Sequence, residues 1–196
     1  MSTSAELREL AEFAVPSYVI GAAAALVAGG LAAFAGQPSG WAVITGLALG
    51  IPIAVLGAGY TTLVGLQKAP VGVFAPAAAY WFVAFPVAML VHSIVTEWLF
   101  TGGPGLPSGP LWQFMLYNAL LSMGFAIGFI WSHEFLGRQW WPRIREHNRY
   151  ALVCVEEYKD LAIVLQERKD ATARSRAEKR KQRAEAREAR SAAPRA

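Results

Sequence analysis

The chain has 196 residues, 55% of them hydrophobic and only 16% charged, with a formal net charge of +4. A single cysteine, Cys154, excludes an intramolecular disulfide and a cysteine-based metal cluster. No charged residue falls between Glu12 and Lys68, between Lys68 and Glu97, or between Glu97 and Glu134. Each of these reaches exceeds the roughly 20 apolar residues that cross a bilayer core, which points away from a water-soluble globule. The fold expected is all-α: an integral membrane protein with a four-transmembrane-helix bundle and a cytoplasmic amphipathic, then charged, C-terminal helix.

Residues 1–13 form an N-terminal segment expected in the cytoplasm. Its Glu6, Arg8, Glu9 and Glu12 precede an apolar run too long for the h-region of a cleaved signal, so that run is expected to stay in the membrane. The transmembrane domain is expected over residues 14–136. Its first span covers about 14–35 and ends at the turn-rich GQPSG of Gly36–Gly40; the second covers about 41–66. A short QKAP link leads to a third span over about 71–100. At about 1.5 Å per residue that helix would reach roughly 45 Å, against a core of about 30 Å, so it must project, tilt or kink. Pro76 and Pro86 are the kink points. The loop TGGPGLPSGP, residues 101–110, is too rich in glycine and proline for helix. The fourth span covers about 111–131.

An even number of spans places both termini and the Gln67–Pro70 link on one side. All 18 Lys and Arg residues lie there, and the two opposite loops carry none. By the positive-inside rule both termini are cytoplasmic, and the arginine- and alanine-rich composition suits a bacterial inner membrane. Trp41, Trp98 and Trp112 would mark the outer boundary; Tyr18, Trp131, Trp140 and Trp141 the inner one.

Lipid tails supply no hydrophobic drive between spans, so close helix packing depends on small residues. Gly21, Ala25 and Gly29 in the first span, and Gly46, Gly50 and Ala54 in the second, recur every fourth residue. Gly124 and Gly128 do the same in the fourth. A tight hairpin of the first two spans is expected.

Polar groups inside the spans are few. His92, Thr96, Glu97, Tyr117 and Asn118 form a candidate intramembrane polar site near the outer leaflet, where an ionisable group is a functional hypothesis. His133 and Glu134 stand beside each other at the end of the fourth span. A zinc-protease motif needs a second histidine four residues on, where Gly137 stands, so the pair is read as part of the interfacial belt. No metal, cofactor or catalytic residue is expected.

Residues 137–165 are expected to form an amphipathic cytoplasmic helix. Cys154, Tyr158, Leu161 and Leu165 share an apolar face suited to docking a partner. Residues 166–196 form a basic tail, partly disordered, with 11 Lys or Arg residues against five acids. It lacks aromatic residues, so anionic lipid headgroups are the expected partner rather than nucleic acid. Together these features predict a non-enzymatic accessory or scaffolding subunit of a larger inner-membrane transport, respiratory or secretion assembly, with other integral membrane subunits as partners. The alternative is a small transporter or channel built around His92, Glu97, Tyr117 and Asn118.

Overall fold

The computed structural model describes residues 3–103, 105–106 and 109–192, with the side chains of 181 and 183–192 outside that description. Among the described residues the chain forms six helices and no strand: α1 Thr3–Phe13, α2 Val15–Phe34, α3 Ser39–Gly65, α4 Phe74–Thr101, α5 Leu111–Ile144 and α6 Arg149–Ala192. Helices α2 to α5 are each long and apolar enough to cross a membrane. The chain divides into two compact units, Met1–Val155 and Glu156–Ala196, so α6 has its first turns in one unit and the rest in the other.

Three element boundaries differ from the sequence reading. Residues 3–13, for which the sequence suggested only an N-terminal segment, are a helix. Helix α4 begins at Phe74, which puts Pro76 in the first turn, where a missing N–H costs nothing, and leaves Pro86 in the interior. Helix α5 continues through Pro142 to Ile144, so the expected change of helix at residue 137 falls instead at 145–148. Pro142 sits close enough to the C-terminus of α5 to remove one bond without ending the helix. There Asn148 restarts the chain as a cap: its Oδ1 accepts the Ala151 N–H at 3.2 Å. The disorder expected at the end of the tail falls in part on residues 193–196, and the 101–110 loop includes residues 104, 107 and 108; these lie outside the described residues.

The helix ends explain the tight turns. After α2, Gly36 takes φ +85°, its N–H reaching Ala33 O and the next N–H, of Gln37, reaching Ala32 O, both at 3.0 Å. This paired arrangement satisfies two carbonyls that a helix end otherwise leaves bare. The same pair of bonds closes α3, with Gln67 in the left-handed region at φ 58°. At the loop end of the bundle, Trp41 of α3 stacks on Phe100 of α4, centroids 4.4 Å apart.

Helices α2 and α3 are packed to backbone contact. A Cβ added at Gly46 would lie 2.5 Å from the Ala25 carbonyl oxygen, and one at Gly21 would lie 2.5 Å from Ala54 Cβ. A Cβ at Gly29 would lie 2.9 Å from the Ala42 carbonyl oxygen, and one at Gly50 2.6 Å from that of Gly21. Gly124 and Gly128 are different: nothing lies within 4 Å of a Cβ at either, and both are exposed on α5. The buried side of α5 is instead the stripe Asn118, Ser122, Ala126, Phe129, His133, Gly137, Trp141 and Ile144. Phe129 joins Trp81 of α4 and Tyr60 of α3 in one aromatic core, with centroids 4.6 and 5.7 Å away.

Candidate functional site

The densest polar chemistry lies at the end of the bundle that carries α1 and the start of α6. Ser17 of α2, Thr61 of α3 and His133 of α5 are all completely buried and form one hydrogen-bonded chain. Ser17 Oγ lies 2.7 Å from Thr61 Oγ1, and His133 Nε2 lies 2.9 Å from the same oxygen. Thr61 donates its one hydroxyl hydrogen to the Gly57 carbonyl at 3.1 Å, as a threonine in a helix commonly does. Its two lone pairs are then left to accept from the Ser17 hydroxyl and from His133, which assigns the Nε2–H tautomer to the imidazole. The chain of residue types resembles a nucleophile beside a base, but with every member sealed inside, what it does is tie α2, α3 and α5 together.

This corrects the interfacial-belt reading of His133 and Glu134. The imidazole is enclosed by rings rather than by headgroups: Phe129 stacks on it at 5.4 Å, with Tyr60 and Trp141 edge-on at 5.5 Å each. The Glu134 carboxylate, also buried, accepts the Gly72 N–H at 3.0 Å and so anchors the α3–α4 connection to α5. Among the described residues no group of three or more His, Cys, Asp or Glu side chains could hold a metal.

Around this core, α1 is latched to the α5–α6 junction. Trp141 is fully buried, contrary to its expected boundary position. It stacks on Phe13 at 4.8 Å and donates its indole N–H to the Phe13 carbonyl at 3.0 Å. Trp140 donates likewise to the Glu12 carbonyl at 2.9 Å. These two indoles satisfy carbonyls at the C-terminus of α1, where helix geometry leaves them without partners. Asn148 donates to Glu9 O at 2.8 Å, His147 pairs with Glu12 at 2.9 Å, and Arg149 and Tyr150 both bind the Glu6 carboxylate. The hydrogen bond to His147 is the main influence holding the Glu12 carboxyl below its ordinary pKa, with Asn148 acting the same way and burial opposing.

The expected outer polar set does not converge on one cavity. Asn118 is buried and donates to the Phe114 carbonyl at 2.9 Å, while its neighbour Tyr117 is 63% exposed on another face of α5. Thr96 bonds back to the His92 carbonyl at 2.7 Å, and Glu97 is exposed. Of the expected docking face, Cys154 is fully buried in the first unit and is unavailable to a partner; Tyr158 is half-buried. Leu161 and Leu165 are exposed, and Val164 joins them on that face. Comparison with family profiles, with curated proteins and with solved structures gives no match. The chain's own geometry is therefore the basis for a functional reading.

Proposed function

We propose that this chain is a non-enzymatic accessory or scaffolding subunit of a larger complex in the bacterial inner membrane, with both termini cytoplasmic. The observation that carries the reading is the face of α6 formed by Leu161, Val164 and Leu165, which are 38%, 43% and 46% exposed just before the helix turns wholly polar and charged. In water such a face is costly: each large apolar side chain that it buries contributes on the order of 1.5–3 kcal/mol before ordering costs are subtracted. A narrow apolar stripe suits a helix of another subunit laid along it. The outward glycines of α5, Gly124 and Gly128, support a second contact within the membrane, because the other small-residue ribbons are consumed inside the chain. The basic segment after Gln166 adds a salt-sensitive attraction to anionic headgroups or an acidic surface.

Tagged protein extracted in a gentle detergent is expected to bring down a stoichiometric membrane partner, identified by mass spectrometry. Replacing Leu161 and Leu165 together by Asp should lose that partner and leave the melting of the bundle unchanged. A partner retained by the double variant, or a wild-type chain found alone and active, would refute the subunit reading. Orientation has its own check. Gly103 has open space around a Cβ, so a Gly103→Cys variant in a Cys154→Ala background should react with an impermeant maleimide on intact cells. Reaction only after permeabilisation would reverse the topology.

A further inference from the structure

From Gln166 onward the charges of α6 are sorted by side. At about 100° per residue, Arg168, Lys169, Arg176, Lys179 and Arg180 fall within an arc of about 120°. Glu167, Asp170 and Glu178 fall together on the opposite side, joined there by Arg174. The sequence holds this register further along the helix. Arg183, Arg187 and Arg190 continue the basic positions and Glu185 and Glu188 the acidic ones, with Lys181 as the exception. From Arg168 to Arg190 the row rises about 33 Å. Its five described basic side chains are exposed, and none takes part in an ion pair or side-chain hydrogen bond among the described residues. Like charges four apart, as at Arg176 and Arg180, disfavour an isolated helix. The sorting therefore works against the helix alone and in favour of something outside it.

Between the long side chains of Arg168, Lys169 and Arg176 stand the short ones of Thr172 and Ala173, and with Leu165 they line a groove of about 380 Å³. Thr172 turns its hydroxyl back to the Arg168 carbonyl at 2.8 Å, so the donors left to a ligand are those of the three bases. A second copy laid along this side would set basic row against basic row. A nucleic acid draws much of its hold from stacking on aromatic rings, and none follows Gln166. Leu161 and Leu165 occupy the same side of the helix, so the row is apolar first and basic afterwards, as in a helix that lies at a membrane interface. We propose that the basic side of α6 binds the anionic phospholipid surface on the side of the termini. Lipid phosphates sit between Arg168, Lys169 and Arg176, and the acidic side faces water. The inference deepens the reading of the basic segment given above and rests on its membrane setting. A helix held this way also turns Leu161 and Leu165 toward the membrane in which the proposed partner sits.

The test uses the full chain in a Cys154→Ala background, in nanodiscs of phosphatidylcholine alone or of phosphatidylcholine and phosphatidylglycerol in equal parts. A fluorescent maleimide is attached at Thr172→Cys, on the basic side, or at the neighbouring Ala171→Cys, on the acidic side. A nitroxide on a minor fraction of the phosphatidylcholine headgroups reports contact by quenching. The label at 172 should be quenched in the anionic discs and not in the neutral ones, while the label at 171 stays bright in both. Quenching should be lost as salt rises from about 0.1 M to about 1 M, where the screening length falls from about 10 Å to about 3 Å. A variant of unchanged composition isolates sidedness from net charge: Lys169→Asp with Asp170→Lys, and Arg176→Glu with Glu178→Arg. All four positions are exposed, so the bundle should melt as before while quenching at 172 disappears. Equal quenching at 171 and 172, quenching that persists in the exchanged variant, or none at 172 in anionic discs overturns the proposal. So does a short DNA duplex that removes the quenching at physiological ionic strength, since nucleic acid would then be the stronger partner. A chain recovered from cells in the soluble fraction without detergent would refute the membrane setting itself. A membrane-embedded chain whose label ignores phosphatidylglycerol would refute only the lipid-binding side.

Discussion

Replacing Trp141 by alanine is expected to cost about 3–5 kcal/mol of stability, the range for truncating a large aromatic in a packed core. Its indole is completely buried, stacked on Phe13 with planes 21° apart, and edge-on to His133 at 5.5 Å. Alanine would leave a cavity between α1 and α5 and strand the Phe13 carbonyl, which now accepts the indole N–H at 3.0 Å. The remaining ties of α1 are weaker individually, since the Glu6–Arg149 and Glu12–His147 pairs are partly exposed, where water screens the attraction between charges. The helix should therefore come loose before the bundle melts. Limited proteolysis should cut within residues 3–13 of Trp141→Ala and spare the wild type, and the thermal midpoint should fall. Trp141→Phe separates the two contributions: it keeps most of the stacking but leaves the carbonyl unpaired, at about 1–3 kcal/mol. If Trp141→Ala melts like the wild type and α1 stays protected, the latch does not hold the N-terminus.

The four long apolar helices were legible because an absence of charge over such reaches leaves few other structures open. What the sequence left obscure depended on contacts far apart in the chain. The pairing of Trp141 with the Phe13 carbonyl joins residues 128 apart and leaves no periodic trace at either site. His133 was misplaced for a different reason. Testing it against a metal-site spacing ignored the stripe to which it belongs, in which Asn118, Ser122, Ala126, Phe129, His133, Gly137 and Trp141 recur at three- and four-residue steps. Polar and small residues in register with large aromatics on one face are the mark of an inward side, and that signal lies in the sequence itself. Cys154 shows the limit of such stripes: periodicity identified an apolar face but could not say that its first turns were already covered by the chain's own helices.

The same ambiguity of direction sets up a contrast between Gly46 and Gly124, which share the small-residue pattern and differ in everything around them. Gly46→Val would drive a side chain into the Ala25 carbonyl, 2.5 Å from the new Cβ, with the Gly29 nitrogen 3.2 Å away. Both neighbours are backbone, so no rotamer change can relieve the clash and the helices must separate. Overpacking typically costs about 1–3 kcal/mol, and a backbone clash belongs at the upper end of that range or beyond it. Separation also forfeits the van der Waals contacts along the ribbon, which are the main attraction between helices where the solvent is itself apolar. Gly46→Val should therefore lower the thermal midpoint sharply and make the α2–α3 turn, residues 35–38, sensitive to protease. Gly124→Val meets nothing within 4 Å, so the isolated chain should melt as the wild type does. In the proposed complex the outcome reverses, because a bulky group on the outward face of α5 would push away a helix of another subunit. Loss of co-purification by Gly124→Val, with normal melting of the chain, would locate that contact. If Gly46→Val were tolerated, the α2–α3 hairpin would not be the closely packed element described here.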